Sequence, residues 1–355
     1  MSGGGSTRLR DLVKETSLDW VIILPKNDRY GGSPEDTHLF FPLEDKSLLK
    51  LPAWTLNTLK FLRNFRPDVV HALKPHPFTL IPALVYKWTS GCRLVFDCDE
   101  WDPYTLNDNG ESAFKILVSQ IFTKIGSAFS DAILYANHLL LKEKIAGKYH
   151  GKCFYVPNGV DLEKFRPSSE KHEGFNILFL GMIQKYRHIL PIVAAVALAR
   201  KDIPKIKCII VGSGDGLAKL KSIVAEKKLE DFFDFKGRVF HDDLPKVLAL
   251  ADVLTAPFED LPGVRYQCNM KIFEYMGLGK PIVASSVGDL PKILGGTGYL
   301  VAPGDPKALA KAFRKIHENP EDAGHKASLA RKRAEDEYGW KSISKNLLNA
   351  YGGDQ

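Results

Sequence analysis

Short apolar runs of strand length alternate with longer segments of helical periodicity along nearly the whole chain. Residues 69–71, 94–97 and 132–135 are apolar runs of this kind, and the helix-like segment 113–129 precedes the last of them. Strands that alternate with helices are typical of a parallel, doubly wound sheet with helices on both faces. The pattern therefore predicts an α/β fold.

The alternation is interrupted once, by the polar stretch 166–174, which has the composition of a linker. It restarts with an apolar run at 177–181. Since 355 residues are many for one core, two domains are expected. We predict a first lobe at 1–168, a second at 169–335, and a helical tail at 336–355 that crosses back to the first lobe.

Composition and charge exclude several classes of protein. The chain is 45% hydrophobic and 26% charged, as globular proteins are. Residues 171–355 carry 28 Lys and Arg against 22 Asp and Glu, which favours an anionic small ligand there. No basic run is long enough to suggest nucleic acid. The cysteines lack CxxC spacing, and no apolar run approaches membrane-spanning length. A cytoplasmic protein is expected, with peripheral contact at the inner membrane face left open.

The most informative stretch is 269–285, where one carboxylate, Glu274, lies in an otherwise apolar helix-like segment. A buried carboxylate is costly unless a partner needs it. A polar loop precedes this segment, and a short buried strand follows it. Together they suggest a site that binds an anionic ligand and fixes a diol, as in a nucleotide-sugar.

The string at 156–167, Val-Pro-Asn-Gly-Val-Asp-Leu-Glu-Lys-Phe-Arg-Pro, resembles the domain junction of family 4 retaining glycosyltransferases of the GT-B fold (glycosyl transferases group 1). On physical grounds alone it is a hinge turn. Further matches follow in the family's order at 67–71, 94–100, 177–183, 210–215, 235–239 and 271–276.

This resemblance implies two Rossmann-like lobes with parallel sheets that face a central cleft. The first lobe would bind the acceptor, and the second would bind the nucleotide-sugar donor. The implied activity is that of a hexosyltransferase, which moves a sugar to the hydroxyl of a glycan or lipid-linked acceptor with retention of configuration. The resemblance implies no cofactor, since the nucleotide-sugar is a substrate, and no metal. The pair Asp97 and Asp99 is the one feature of the sequence that argues for a bound metal ion.

The resemblance also assigns roles to individual residues. In the catalytic group, Glu274 would hold the ribose, Arg187 would lie on the phosphates, and Lys271 would reach the phosphates or be a surface lysine. The remaining nucleotide-sugar residues would be Gly4, Gly5, Gly181, Gly212, Gly214, Arg238, Val239, Tyr266 and Asn269. The acceptor-side residues would be His71, Asp99 and Glu100. Arg187 also fits a solvated helix start, Glu274 a salt-bridged helix residue, the acidic residues helix caps, and the two glycines at 212 and 214 a simple turn.

Three features depart from the family pattern. Tyr266 occupies the place of a second glutamate, and Met182 that of an arginine. The first strand of the N-terminal lobe is also missing, because the chain opens on glycines that precede a helix expected at 7–16. Three explanations fit this pattern: the true start lies upstream, the leader is artificial, or the lobe lacks that strand. The alternatives to a glycosyltransferase are a catalytically degenerate nucleotide-sugar-binding subunit and, less favoured, a GT-B nucleotide-sugar epimerase.

Overall fold

A computed structural model describes residues 4–26, 38–42, 48–145, 147, 149–168, 172–183 and 189–353. The chain divides into two compact units. The first unit comprises Met1–Asn158, Tyr266–Cys268 and Trp340–Gln355, and the second comprises Gly159–Arg265 and Asn269–Gly339. The break at 158 precedes the polar stretch in which the sequence placed it.

The first unit contains a parallel sheet in the order β3-β4-β5-β6 and a separate parallel pair, β1-β2. Its strands are β1 (Ile22–Lys26), β2 (His38–Pro42), β3 (Val69–Leu73), β4 (Arg93–Cys98), β5 (Ala132–Tyr135) and β6 (Cys153–Tyr155). Its helices are α1 (Gly4–Lys14), α2 (Leu51–Phe65), α3 (Pro77–Ser90), α4 (Asp102–Asp108), α5 (Ala113–Phe129), α6 (His138–Leu140), which continues into a π-turn at Leu141–Ile145, and α15 (Trp340–Tyr351).

The second unit has a parallel sheet in the order β12-β11-β10-β7-β8-β9. Its strands are β7 (Phe175–Leu180), β8 (Ile206–Val211), β9 (Phe233–Gly237), β10 (Val253–Ala256), β11 (Ile282–Ser285) and β12 (Tyr299–Val301). Its helices are α7 (Leu190–Ala199), α8 (Leu217–Glu226), α9 (Leu244–Leu248), α10 (Pro262–Arg265), α11 (Met270–Gly277), α12 (Leu290–Leu294), α13 (Pro306–Glu318) and α14 (Pro320–Arg333), which continues into a π-turn at Ala334–Tyr338.

Local sequence explains these elements well, as α13 illustrates. Asp305 caps the helix by accepting hydrogen bonds from the backbone N–H groups of Lys307 and Ala308, and Pro306 occupies the first turn. Its buried residues Leu309, Ala310, Ala312, Phe313 and Ile316 form one apolar face that packs on the sheet core. No helix in the described parts of the chain is both long and apolar enough to cross a membrane.

The start of the chain differs from the prediction. Gly4 and Gly5 lie in the first turn of α1, whereas the sequence placed them in a loop before a helix at 7–16. The N–H groups of a first helical turn have no intrahelical partner in any case, so glycine costs least there. The absence of a strand before these residues stays a prediction.

The strand order of the second sheet reverses between β7 and β10, since β8 and β9 extend from one side of β7 and β10, β11 and β12 from the other. In doubly wound sheets the carboxyl ends of the two strands at such a reversal bound the ligand crevice. The end of β7 is therefore where a ligand site is expected.

Glycines hold the ends of β7 and β8 close together. A Cβ atom on Gly212, whose φ is +141°, would lie 1.8 Å from the carbonyl oxygen of Gly181, and one on Gly214 would lie 2.4 Å from that of Ile183. At both positions the atoms that leave no room for a side chain belong to the chain's own backbone.

Gly212→Ala should lower the free energy of unfolding of the second unit by more than about 3 kcal/mol, since neither the clash nor the dihedral angle can relax without moving backbone. Urea unfolding followed by far-ultraviolet circular dichroism measures it. Gly324→Ala is the matched control, because a Cβ there meets nothing within 4 Å and favours α14. Equal stability of the two variants would contradict the prediction.

Candidate functional site

Helix α11 packs its side chains on the end of β7, at the reversal of strand order. The ammonium of Lys271 donates a hydrogen bond to the carbonyl of Leu180 at 2.9 Å, and the backbone N–H of Leu180 donates to the hydroxyl of Tyr275 at 3.2 Å. Lys271 and Tyr275 are four residues apart and so share one face of the helix. They fix α11 against the carboxyl end of β7.

Lys271 places a positive charge at the crevice expected from the strand order. Its Nζ lies 5.0 Å from the ring centroid of Phe179 and 4.7 Å from that of Phe258, which follows β10, and a Cβ on Gly181 would lie 3.2 Å from it. Burial lowers the pKa of Lys271 to about 8, although the charge of Glu274 opposes that shift. This partly desolvated cation gains from an anionic ligand.

Glu274 lies one turn beyond Lys271 and is only 4% exposed. Its Oε1 is 2.9 Å from Nε2 of His241, in the loop that follows β9. Its Oε2 accepts no hydrogen bond from any residue that the structure describes. The carboxylate is thus held on one oxygen and retains acceptor capacity on the other.

The other residues predicted for the nucleotide occupy different parts of the structure. Arg238 and Val239 follow β9 directly, and the exposed guanidinium of Arg238 lies 5.8 Å from the ring centroid of Phe240. Asn269 precedes the first turn of α11 and makes no capping bond with its side chain. Arg187 lies outside the described residues.

Tyr266 does not belong to the second unit, in which the sequence placed it. It is buried in the core of the first unit, where its hydroxyl donates to Oε2 of Glu143 at 2.6 Å. The ammonium of Lys144 lies over the rings of Trp101, Tyr104 and Tyr266 at 4.8–5.6 Å. The short π-helix at Leu141–Ile145 contains both Glu143 and Lys144.

In the first unit a buried ion pair lies at the end of β4. Arg8 is fully buried, and its Nε lies 3.1 Å from Oδ2 of Asp97. Other guanidinium nitrogens donate to the carbonyls of Val156 and Pro157 and to Oδ1 of Asn158. Burial alone would raise the pKa of Asp97, but the charge of Arg8 and the hydrogen bond from His71 outweigh it and lower that pKa to about 2.

His71 is part of the same network, with both ring nitrogens engaged. Nε2 lies 3.3 Å from Oδ2 of Asp97, and Nδ1 lies 2.8 Å from the hydroxyl of Tyr351 on α15. Because an ionised carboxylate only accepts, Nε2 carries the proton and Nδ1 accepts from the tyrosine. His71 therefore connects β3, β4 and α15, while its predicted contact with an acceptor stays a prediction.

Asp99 and Glu100 surround a single cation, Lys74. Its Nζ is 2.8 Å from Oδ1 of Asp99, 2.5 Å from Oε1 of Glu100 and 3.5 Å from Oδ1 of Asp102. Burial raises the pKa of Asp102 to about 7, against the opposing charge of Lys74. Three carboxyl groups thus share one ammonium, and one of them titrates near neutrality. Across the described residues, no three His, Cys, Asp or Glu side chains are arranged to hold a metal ion.

Two family profiles match the amino-acid sequence, one in each half of the chain. Residues 2–164 match the profile of glycosyltransferase family 4, and residues 174–319 match the profile described as glycosyl transferases group 1. The chain belongs to the family 4, group 1 glycosyltransferases. This family 4 member is 28% identical over 222 residues to the D-inositol 3-phosphate glycosyltransferase of Streptomyces avermitilis, an alignment that covers 57% of this chain and 47% of that protein. The chain thus spans about half the length of the curated relatives it matches.

Solved structures of other proteins share the fold of this family 4 chain. Sucrose-phosphate synthase from Thermosynechococcus elongatus superposes with a TM-score of 0.80 at 19% identity, over 99% of this chain and 93% of that one. HepE of Anabaena, in complex with UDP and glucose, superposes with a TM-score of 0.80 at 16% identity, over 99% and 96%. The predicted GT-B fold with two parallel sheets is confirmed.

The site contains residues that sequence reasoning missed. His241 is the described partner of Glu274, and Arg8 that of Asp97. His241 lies next to the family-like segment 235–239, which is a signal that could have drawn attention to it. Arg8 lies 89 positions from Asp97, and nothing in the local pattern connects the two.

Arg8→Met should destabilise the first unit by about 3–5 kcal/mol, because it leaves the carboxylate of Asp97 buried without its cation. All five tryptophans lie in this unit, so their fluorescence in urea reports its unfolding. The contribution of the lowered pKa of Asp97 is present above pH ~4 and is lost as the pH falls towards 2, so the difference from wild type should shrink there.

Arg10→Met, on the same helix and 29% exposed, is the control and should change little. The double variant Arg8→Met with Asp97→Asn should regain part of the loss. A loss of under ~1 kcal/mol in Arg8→Met at pH 7 would mean that the ion pair does not hold this unit together.

Proposed function

We propose that the chain is a glycosyltransferase that binds a nucleotide-sugar on its second unit and transfers the sugar to an acceptor hydroxyl. The observation that carries the proposal is the pairing of Lys271 and Glu274 on α11, at the point where the strand order of the sheet reverses. A cation and a carboxylate one helical turn apart match the diphosphate and the ribose diol of such a donor.

The two side chains have distinct roles in this proposal. Glu274 accepts hydrogen bonds from the ribose hydroxyls, because its Oε2 has acceptor capacity and its burial strengthens each bond. Lys271 stabilises the negative charge that develops on the diphosphate as the sugar leaves. Arg187 is assigned to the same diphosphate from the sequence alone.

We further propose retention of configuration and independence of metal. The acceptor hydroxyl attacks the face of the sugar from which the diphosphate departs, and the departing phosphate takes the hydroxyl proton. Lysine and arginine then supply the charge that a divalent cation would otherwise supply. The UDP and glucose bound to HepE make UDP-sugars the first donors to test.

For the acceptor we propose the acidic group at the end of β4, with Asp99, Glu100 and Asp102 around Lys74. Carboxylates there would accept hydrogen bonds from the hydroxyls of a glycan or of a lipid-linked sugar.

The second candidate function is a nucleotide-sugar-binding subunit without turnover. It is favoured by Tyr266, which replaces a family glutamate and is engaged with Glu143 in the first unit. The two functions differ in turnover but not in binding, so one assay separates them.

UDP-, GDP- and ADP-sugars should first be screened for thermal stabilisation, since a bound ligand raises the melting temperature. The donor that binds is then incubated with an acceptor panel, and release of nucleoside diphosphate is measured with and without EDTA. We expect release that EDTA leaves unchanged, and product with the donor's anomeric configuration by NMR. Binding without release would favour the second function. Loss of activity in EDTA with rescue by manganese would contradict the metal independence.

Lys271→Met should weaken UDP binding by about 1.5–3 kcal/mol at pH 7.5, the range for a charged hydrogen bond. In the wild type, binding should weaken further as the pH rises through 8, because the neutral lysine must take up a proton to bind the diphosphate. Calorimetric titration between pH 7 and 9.5 measures both effects. Lys219→Met, on the exposed side of α8, is the control. A variant that retains the wild-type pH profile would remove Lys271 from the site.

A further inference from the structure

The segment 160–165, which follows Asn158 and Gly159, packs against α11. Oδ1 of Asp161 accepts hydrogen bonds from the N–H groups of Glu163 and Lys164, and this folds the segment into a turn. Phe165 is 1% exposed, and its carbonyl accepts from the guanidinium of Arg331 at 2.7 Å.

The contact between this segment and α11 is direct. A Cβ on Gly277, the last residue of α11, would lie 2.9 Å from Cγ2 of Val160 and 3.1 Å from the carbonyl oxygen of Phe165. Only glycine lets the helix end and the segment approach so closely. The position of Lys164 relative to α11 is therefore fixed by packing.

Lys164 continues this attachment to the nucleotide site through His241. Its Nζ is 2.8 Å from Nδ1 of His241, and Nε2 of that ring is 2.9 Å from Oε1 of Glu274. A lysine ammonium has no acceptor capacity, so Nδ1 must accept and the ring proton must be on Nε2. That tautomer donates to Glu274. The ring also packs against Phe165, with centroids 5.6 Å apart.

The hydrogen bonds from Lys164 to His241 and from His241 to Glu274 orient the Glu274 carboxylate and leave its negative charge uncompensated. A single neutral donor on Oε1 restrains the position of that oxygen without neutralising the carboxylate, and Oε2 stays available to a ligand. A lysine in place of the histidine would have formed a buried ion pair and competed with the ligand.

We propose that Lys164 and His241 are positioning residues that orient Glu274 towards the ribose, and that they confer the preference for a ribonucleotide over its 2′-deoxy counterpart. This inference rests on the proposed function, because it requires that Glu274 receives the ribose hydroxyls. The segment 156–167, which contains Lys164, would then take part in substrate recognition, whereas a hinge turn would not.

The test is the ratio of dissociation constants for 2′-deoxy-UDP and UDP, measured by calorimetry on the full chain. The wild type should prefer UDP by about 10-fold or more, as expected for a charge-assisted hydrogen bond. His241→Phe keeps the ring packing but removes the donor, so the ratio should fall several-fold towards one. Glu274→Gln should lower the ratio at least as much. A purely structural role would change both dissociation constants together and leave the ratio unchanged.

Two further variants make the result specific. His241→Gln places an amide donor near the position of Nε2 and should restore part of the ratio, whereas Lys164→Met should lower it because the histidine tautomer is no longer fixed. His325→Phe, an exposed histidine on α14, is the matched control and should retain the wild-type ratio.

A wild-type ratio in folded His241→Phe and Lys164→Met, alongside a lowered ratio in Glu274→Gln, would overturn this inference and leave the proposed function standing. A wild type that binds neither UDP, GDP nor ADP would overturn the proposed function and this inference with it.

Discussion

The second unit depends on how a single carboxylate is accommodated inside an apolar helix. Glu274 is almost fully buried, and the free energy of that burial is recovered only if donors reach it. His241 is the donor in the described structure, and its tautomer is set by Lys164. The glycine at the end of α11 and the turn at 160–165 bring these groups together. The hydrogen bond between His241 and Glu274 therefore links the burial of this carboxylate to the packing of the segment 160–165 against α11.

The first unit also contains a buried carboxylate, but there a cation neutralises it. Asp97, at the end of β4, is also buried, but Arg8 neutralises it and His71 occupies the same oxygen. This carboxylate is fully buried, and together with Arg8 it joins α1, β3, β4 and the residues after β6. Nearby, Asp99, Glu100 and Asp102 lie around Lys74, so that three acids surround this one ammonium. In the first unit the buried acid thus contributes to cohesion, and in the second it is the group that we propose to bind the ribose.

The regular elements could be predicted because they follow from local pattern. The strand Ala132–Tyr135 and the helix Ala113–Phe129 have the predicted bounds. Glu274 was a candidate because it is a lone carboxylate within an apolar run, and Lys271 was a candidate because of the family resemblance of the segment 271–276. His241 and Arg8 were not, since their partners lie 33 and 89 positions away and only tertiary packing joins them. The same limit misplaced Tyr266, which belongs to the first unit with the short segment Tyr266–Cys268, although the longer segments on either side of it belong to the second.

The position of the proton on the imidazole ring of His241 tests the proposed positioning of Glu274 most directly. Nitrogen-15 NMR of the full chain labelled at histidine, with His241 assigned from the spectrum of His241→Gln, reports which ring nitrogen carries the proton. We expect a single tautomer, with the proton on Nε2 and an unprotonated Nδ1 that accepts a hydrogen bond, and a shift of the Nε2 resonance when UDP is added. A proton on Nδ1, or a ring that exchanges freely between tautomers, would contradict it.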